Sequence, residues 1–375
     1  MNRKEISEIR RRLRPERNSI SHVYGCYVNS NKEIISYIDE SVALLSAEEN
    51  EKYMMLLKKA LSGTPGKNLI DVSFATKQVM DSEEHRLLSA LRKSELRDAQ
   101  LREDFYKNII EALDMDGENY LILMAFDCYD VPHYGKDGEQ DDSSEVFKYI
   151  VCSICPVKSG KAELGYFPEE RRFHHLSEGH IVASPSLGFM FPAFDERSAN
   201  IYSALFYSRS SDEIHQDFID AVFRVQPPIS AGQQKEFFSS ALSQSLEKSC
   251  TYQVVQSVHD QLCQCISVHK ESKDPETLTL SQEDIEDILE NSGAEEEQLD
   301  TFRQACRRDF GEDAQFNPSN IINSRRMEIV TPEFKIVVEP KFSHLVQMKT
   351  IEGRKYIMLP ADSGVELNGI GITIE

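Results

Sequence analysis

The chain has 375 residues, of which 40% are hydrophobic and 28% charged, and its formal net charge is −21. That length accommodates two or three domains with a sizeable core, and the composition is that of a globular protein rather than a disordered or fibrous one. A chain this negative has no general positive field for phosphate backbones, so any such contact needs a local basic patch. The first such patch opens the chain. Residues 3–14 predict an amphipathic helix with Ile6, Ile9 and Leu13 on one face. Arg3, Arg10 and Arg14 fall beside that stripe at 100° per residue, and Pro15 ends the helix. Seven basic residues (Arg3, Lys4, Arg10, Arg11, Arg12, Arg14, Arg17) stand here against Glu5, Glu8 and Glu16. Two readings stay open: a solvated face whose arginines pair with carboxylates elsewhere, or a contact for phosphate or an acidic partner.

Ile20–Val28 and Glu33–Ile38 predict a hairpin around Asn29-Ser30-Asn31. Ser46 and Glu49 form a capping box that opens the next helix, closed by Gly63 and Pro65. Gly63-Thr64-Pro65-Gly66-Lys67 lacks the spacing of a phosphate loop and follows a helix, so it is expected to be a turn. Asn68–Phe74 is a short strand, and 82–113 is helical with a break near Ser94. Tyr120–Cys128 and Val146–Val157 are the two long apolar strands around which the fold is expected to assemble. The loop between them carries Asp137, Glu139, Asp141 and Asp142, without the alternating ligands of a calcium loop.

Ala162–Phe167 is a further strand. Arg171 and Arg172 precede His174, His175 and His180, residue types that hold anions and zinc, with no accompanying nucleophile pattern. Gly188–Phe194 is expected to be an apolar hinge between two strands, followed by a polar cluster of Asp195, Arg197 and Asn200. From Asp212 to Phe310 the chain is helical, with Pro227-Pro228 as a linker. Residues 281–309 make a helix pair of helix-turn-helix proportions, but Glu295, Glu296 and Glu297 at the second helix's start would repel DNA phosphates. Residues 274–313 hold fourteen acidic and three basic side chains, a balance of −11. Short strands close the chain: Met327–Val330, Phe334–Glu339, Val346–Ile351 and Lys355–Leu359.

Cys152-Ser153-Ile154-Cys155 has metal-like spacing. A zinc site needs a second pair of ligands, and along an extended strand the two thiols point to opposite faces. No metal or cofactor is expected, and the eight cysteines read as free thiols of a reducing compartment. Asn2, Arg3 and Lys4 follow Met1 with no apolar core, and no run approaches the ~18 residues that span a bilayer. A cytoplasmic location without membrane attachment is expected. The oligomeric state is left open.

Arg12-Leu13-Arg14-Pro15-Glu16-Arg17-Asn18, the stretch from Ser62 to Asp71, and Gly188–Phe194 with Asn200-Ile201-Tyr202 resemble a bacterial family, mostly of Gram-positive anaerobes, known as a domain of unknown function. The resemblance spans essentially the full length and implies no activity. The order of elements is also similar to that of the 37-kilodalton nucleoid-associated proteins. There the likeness lies in Asp300–Phe310, Phe334–Val338 and Tyr356–Leu359. It implies a nucleic-acid-linked role.

The expected fold is α+β, with antiparallel sheets at the centre and end and helices between. Four segments are expected: a hairpin with helices over 1–115, a central β-rich domain over 116–226, an acidic helical segment over 227–313 and a β-rich segment over 314–375. Candidate contacts for nucleic acid or another anion are Arg3, Arg10, Arg11, Arg12, Arg14, Arg17, Arg171 and Arg172. A basic protein is the partner expected for the acidic helices at 281–309. An enzyme is the weakest expectation, because no nucleophile–base pair, metal set or phosphate loop is present in the sequence.

Overall fold

A computed structural model describes residues 1–132, 145–160, 163–167, 171–176, 179–226, 229–311, 314–362 and 364–373, with the backbone alone over 163–167 and 174–176. The acidic loop bearing Asp137, Glu139, Asp141 and Asp142, the Pro227-Pro228 linker, and the side chains of His174 and His175 lie outside the described residues. The chain divides into two units, Met1–Ala231 with Pro275–Thr277, and Gly232–Asp274 with Leu278–Glu375.

In the first unit the helices are α1 (Arg3–Arg12), α2 (Ala47–Lys59), α3 (Thr76–Asp81), α4 (Glu83–Lys93), α5 (Ala99–Ala112) and α6 (Gln216–Val222). Its first strands are β1 (His22–Val28), β2 (Ile34–Ser41), β3 (Leu69–Ser73), β4 (Asn119–Val131), β5 (Glu145–Ser159), β6 (Glu163–Phe167) and β7 (Arg172–Leu176). Five more follow: β8 (His180–Val182), β9 (Leu187–Phe191), β10 (Ala193–Asp195), β11 (Ser198–Asn200) and β12 (Ser203–Ser208). Eight strands form one antiparallel sheet in the order β2-β1-β4-β5-β9-β12-β3, with β8 pairing the end of β5. The long strands β4 and β5 lie inside it and pair from Asn119↔Val157 to Val131↔Glu145.

Both faces of this sheet are covered by helices, which explains why its strands read as continuous apolar runs rather than alternating ones. Cys26, Ile122, Ile150, Cys152, Phe189 and Phe206 face Leu88, Leu91, Phe105, Ile109, Phe218 and Phe223 from α4, α5, α6 and the residues beside them. On the other face Val23, Leu121, Leu123, Val151, Cys155 and Met190 meet Ile6, Ile9, Leu13, Met54 and Leu57 from α1, α2 and the turn after α1. Cys152 and Cys155 therefore point to opposite faces, as extended backbone requires. All eight cysteines are free thiols.

Gly188–Phe194 differs from its expected role as a hinge. Leu187–Phe191 is β9, a central strand with every residue buried. Its aromatic side chains alternate between two covered faces, so a dense apolar run is what this position demands. The Asp195, Arg197 and Asn200 cluster also divides. Asn200 Nδ2 donates to Asp195 Oδ2 at 3.1 Å, whereas Arg197 reaches α1, donating to Glu8 Oε2 at 2.8 Å, and also donates to the Pro132 carbonyl at 3.0 Å.

The second unit packs α7 (Ala231–Leu246), α8 (Tyr252–Ser272), α9 (Gln282–Asn291), α10 (Glu296–Phe310) and α11 (Pro318–Ile321) with the short pair β13 (Leu280–Ser281) and β14 (Gln315–Phe316). Phe238, Leu262, Ile285, Phe302 and Phe316 form its core. Three separate hairpins follow: β15 (Met327–Val330) with β16 (Lys335–Val338), β17 (Gln347–Ile351) with β18 (Arg354–Met358), and β19 (Val365–Leu367) with β20 (Ile370–Ile372). The architecture is α+β, dominated by one large antiparallel sheet.

Candidate anion-binding site

Helix α1 begins with a capping box. The Asn2 side chain accepts from the Lys4 and Glu5 amides, and the Glu5 carboxylate accepts from the Asn2 amide at 2.8 Å. Burial raises the Glu5 pKa. The apolar stripe then seats the helix on the sheet, and polar bonds fix its rotation. Arg12 donates to Asp127 Oδ2 at 3.3 Å and to the Cys128 carbonyl at 3.1 Å, with its guanidinium 4.2 Å from the Tyr129 ring centroid. Asp127 is fully buried and also accepts from the Tyr149 hydroxyl and the Ser19 amide, each at 2.7 Å. Burial opposes the charge on Arg12, yet Asp127 and Tyr149 together raise its pKa. One turn earlier, Tyr129 donates to Glu8 Oε1 at 2.6 Å.

With rotation fixed, the helix presents Arg3, Ile6, Ser7 and Arg10 to the Gly63-Thr64-Pro65 turn. These residues line a pocket of about 370 Å³. The spacing of three, four and seven residues puts the side chains on one helical stripe, with the two arginines about 10 Å apart along the axis. The opposite wall is a tight turn. The Thr64 carbonyl accepts from the Lys67, Asn68 and Leu69 amides at 3.0, 2.9 and 3.2 Å. A Cβ on Gly63 would lie 2.7 Å from that of Asn68, so glycine is required there. Asn68 Nδ2 in turn donates to the Ser208 and Arg209 carbonyls, both at 3.1 Å.

No carboxylate lines the pocket. Among the described residues Arg3 and Arg10 have no ion-pair partner, and the Ser7 and Thr64 hydroxyls have no hydrogen-bond partner. Two planar cationic forks and two hydroxyls suit a tetrahedral oxyanion. Arg11, Arg14 and Arg17 likewise have no ion-pair partner among the described residues and extend the positive surface, all three being exposed. Arg12 is different, being committed to Asp127 inside the fold. Arg171 and Arg172 stand exposed at the start of β7 and do not line this pocket. Ser7 and Thr64 are additions that sequence reasoning missed. A seven-residue Arg–Arg spacing with a hydroxyl between is the signal that marks the helical half.

In the second unit, Arg303 on α10 draws together Glu286 at 2.7 Å, Glu296 at 3.2 Å and Asp300. Glu283, Asp287, Glu290 and Glu297 remain exposed and without an ion-pair partner among the described residues. No group of His, Cys, Asp and Glu among the described residues has metal-holding geometry, and no helix among them is long and apolar enough to cross a membrane.

Residues 1–370 match the family described as a domain of unknown function (DUF4317), and the chain belongs to that family. No curated protein matches the sequence.

Proposed function

We propose that this protein is a nucleic-acid-linked accessory protein that contacts phosphate groups through the pocket between α1 and the Gly63–Pro65 turn. The observation that carries the reading is the pairing of Arg3 and Arg10, both without ion-pair partners among the described residues, across a wall that holds no carboxylate. The chain carries surplus carboxylates, at −21 net, and none of them lines this pocket. Arg11, Arg14 and Arg17 would carry adjacent phosphates of an extended strand, giving a contact confined to one face.

Fluorescence anisotropy with single-stranded and duplex oligonucleotides across a salt series tests this. Wild-type affinity should fall with salt, and the Arg3→Gln/Arg10→Gln double variant should bind at least tenfold more weakly. Its log–log salt slope should be shallower by about one, the change for the one phosphate that the pocket no longer neutralises. Failure of the wild type to bind either oligonucleotide at low salt removes the nucleic-acid reading. Titration with inorganic phosphate then asks whether the pocket takes a free anion instead.

A second reading rests on the exposed carboxylates Glu283, Asp287, Glu290 and Glu297, which would make the α9–α10 pair a docking face for a basic protein. Calorimetric titration with a lysine-rich peptide, against the triple variant Glu283→Lys/Glu290→Lys/Glu297→Lys, tests it. Equal heats from the two proteins would rule it out.

A further inference from the structure

The three hairpins that close the second unit stand outside its core. β15–β16, β17–β18 and β19–β20 are separate two-stranded sheets. A sheet of that size is marginal in water without a further apolar surface to cover it. The stretch is nevertheless anchored. Tyr252 of α8 donates to the Ser343 carbonyl at 2.8 Å, and Gln256 Nε2 donates to the Ser343 hydroxyl at 2.9 Å. From 327 to 372, Ser343 and Val346 are the buried residues among those described.

What the hairpins leave uncovered is apolar. Thirteen large hydrophobic side chains from Val330 to Ile372 are 36–69% exposed, against twelve among all the described residues before them. Register puts Val330 and Val337 on one face of the first hairpin, and Ile351 and Tyr356 on one face of the second. At this exposure a large apolar side chain presents on the order of 100 Å². The set therefore exceeds the roughly 800 Å² that each partner contributes to a standard interface.

Charge narrows the partner. Residues 325–373 hold seven basic and six acidic side chains, a balance of +1, so a chain of −21 carries −22 outside them. Much of that charge cancels in place, as where Lys335 meets Glu328 at 2.9 Å and Lys341 meets Glu339 at 2.8 Å. A nucleic acid or a strongly basic protein finds no large surplus of opposite charge here. Two copies of this chain repel each other elsewhere, and this near-neutral stretch is where they can meet without that opposition.

We propose that residues 327–372 form a dimerisation arm, the hairpins of two copies closing on each other about a two-fold axis and burying these side chains. The arm shares no residue with the anion pocket.

Sedimentation velocity of the full-length protein at micromolar concentration should give twice the 42.9 kDa chain mass. The dimer should persist or tighten from 0.1 to 1 M salt, because screening removes the repulsion between copies and leaves the apolar contact. The double variant Val337→Lys/Ile351→Glu should weaken it at least a hundredfold. Each new charge lies opposite one of the other sign, Glu328 and Arg354, so the hairpins themselves are spared. Met80→Lys, at a position 72% exposed on α3, should leave the dimer intact. Hydrogen exchange of the wild type, which needs no variant to fold, should show protection over 327–372 that rises with protein concentration. A wild-type monomer, an assembly larger than a dimer, dissociation by salt, a dimer that survives the double variant, or concentration-dependent protection confined to other residues would overturn the proposal.

Discussion

Arg10 and Arg12 lie two positions apart on one helix, and the fold gives them opposite work. Arg12 points into the sheet and meets Asp127, a carboxylate that is fully buried. Arg10 points along the Gly63–Pro65 turn and has no ion-pair partner among the described residues. Removing one partner of a buried pair leaves the other charge uncompensated, so Arg12→Gln should destabilise the protein by roughly 2–4 kcal/mol. Arg10→Gln should change stability by less than about 0.5 kcal/mol, the usual range for a surface position without such a partner. Urea denaturation of the two variants checks both, and equal losses would mean that Arg10 is structural after all. The sequence made both arginines visible as part of a basic run but could not sort them. Asp127 is 115 residues from Arg12, and nothing local marks it as a partner. Ser7 and Thr64 were hidden for a similar reason, since a hydroxyl becomes part of a site only through what the chain brings opposite it.

Elements were more legible than their roles. The apolar stripe predicted α1, the Ser46–Glu49 capping box opened α2, and β4 and β5 stood out as long apolar runs because helices bury both sides of the sheet. The break between α4 and α5 also showed, near Ser94, although the turn itself is made by Glu95 and Leu96 with positive φ, which their side chains do not advertise. The Gly188–Phe194 stretch misled for a physical reason. Consecutive aromatics suggest an irregular hinge unless the strand is covered on both faces, and coverage is a property of the assembled sheet. Gly188 exists because β9 runs close to the end of α2. A Cβ there would sit 2.6 Å from the Ala60 Cβ and 2.6 Å from the Cys152 carbonyl oxygen. Gly188→Ala should therefore cost about 1–3 kcal/mol through overpacking. Pairing it with Ala60→Gly should recover only part of that loss, because the carbonyl contact remains. A thermal melt of Gly188→Ala matching wild type would show that the strand and helix can separate at no cost.

At the scale of the whole molecule, the return of Pro275–Thr277 to the first unit has no signature in the sequence, because three ordinary loop residues carry it. The two units also differ in what they bury. In the first, burial raises the thiol pKa of Cys26 and Cys155 to about 12 and that of Cys152 well above its ordinary value. The phenol of Tyr120 is likewise raised to about 12, and those of Tyr106 and Tyr149 rise further, burial again being the first cause. The second unit's fully buried counterpart is Cys306, raised to about 12. A raised folded-state pKa means that the unfolded chain loses its proton first as pH climbs. Stability from these groups is therefore complete below about pH 8.5, where the unfolded thiols stay protonated, and falls as pH rises toward the folded values. Each group lowers stability by up to about 1.4 kcal/mol per pH unit within its own window. The first unit holds most of them, so alkali should weaken it well ahead of the second. Differential scanning calorimetry from pH 7.5 to 10.5 should show two transitions, one moving down steeply and the other much less. Tyr149→Phe should identify the steep one by lowering that transition alone, since the Asp127 carboxylate then loses a buried donor. Two transitions that shift in parallel with pH would refute the assignment, and a single transition throughout would mean that the units unfold together.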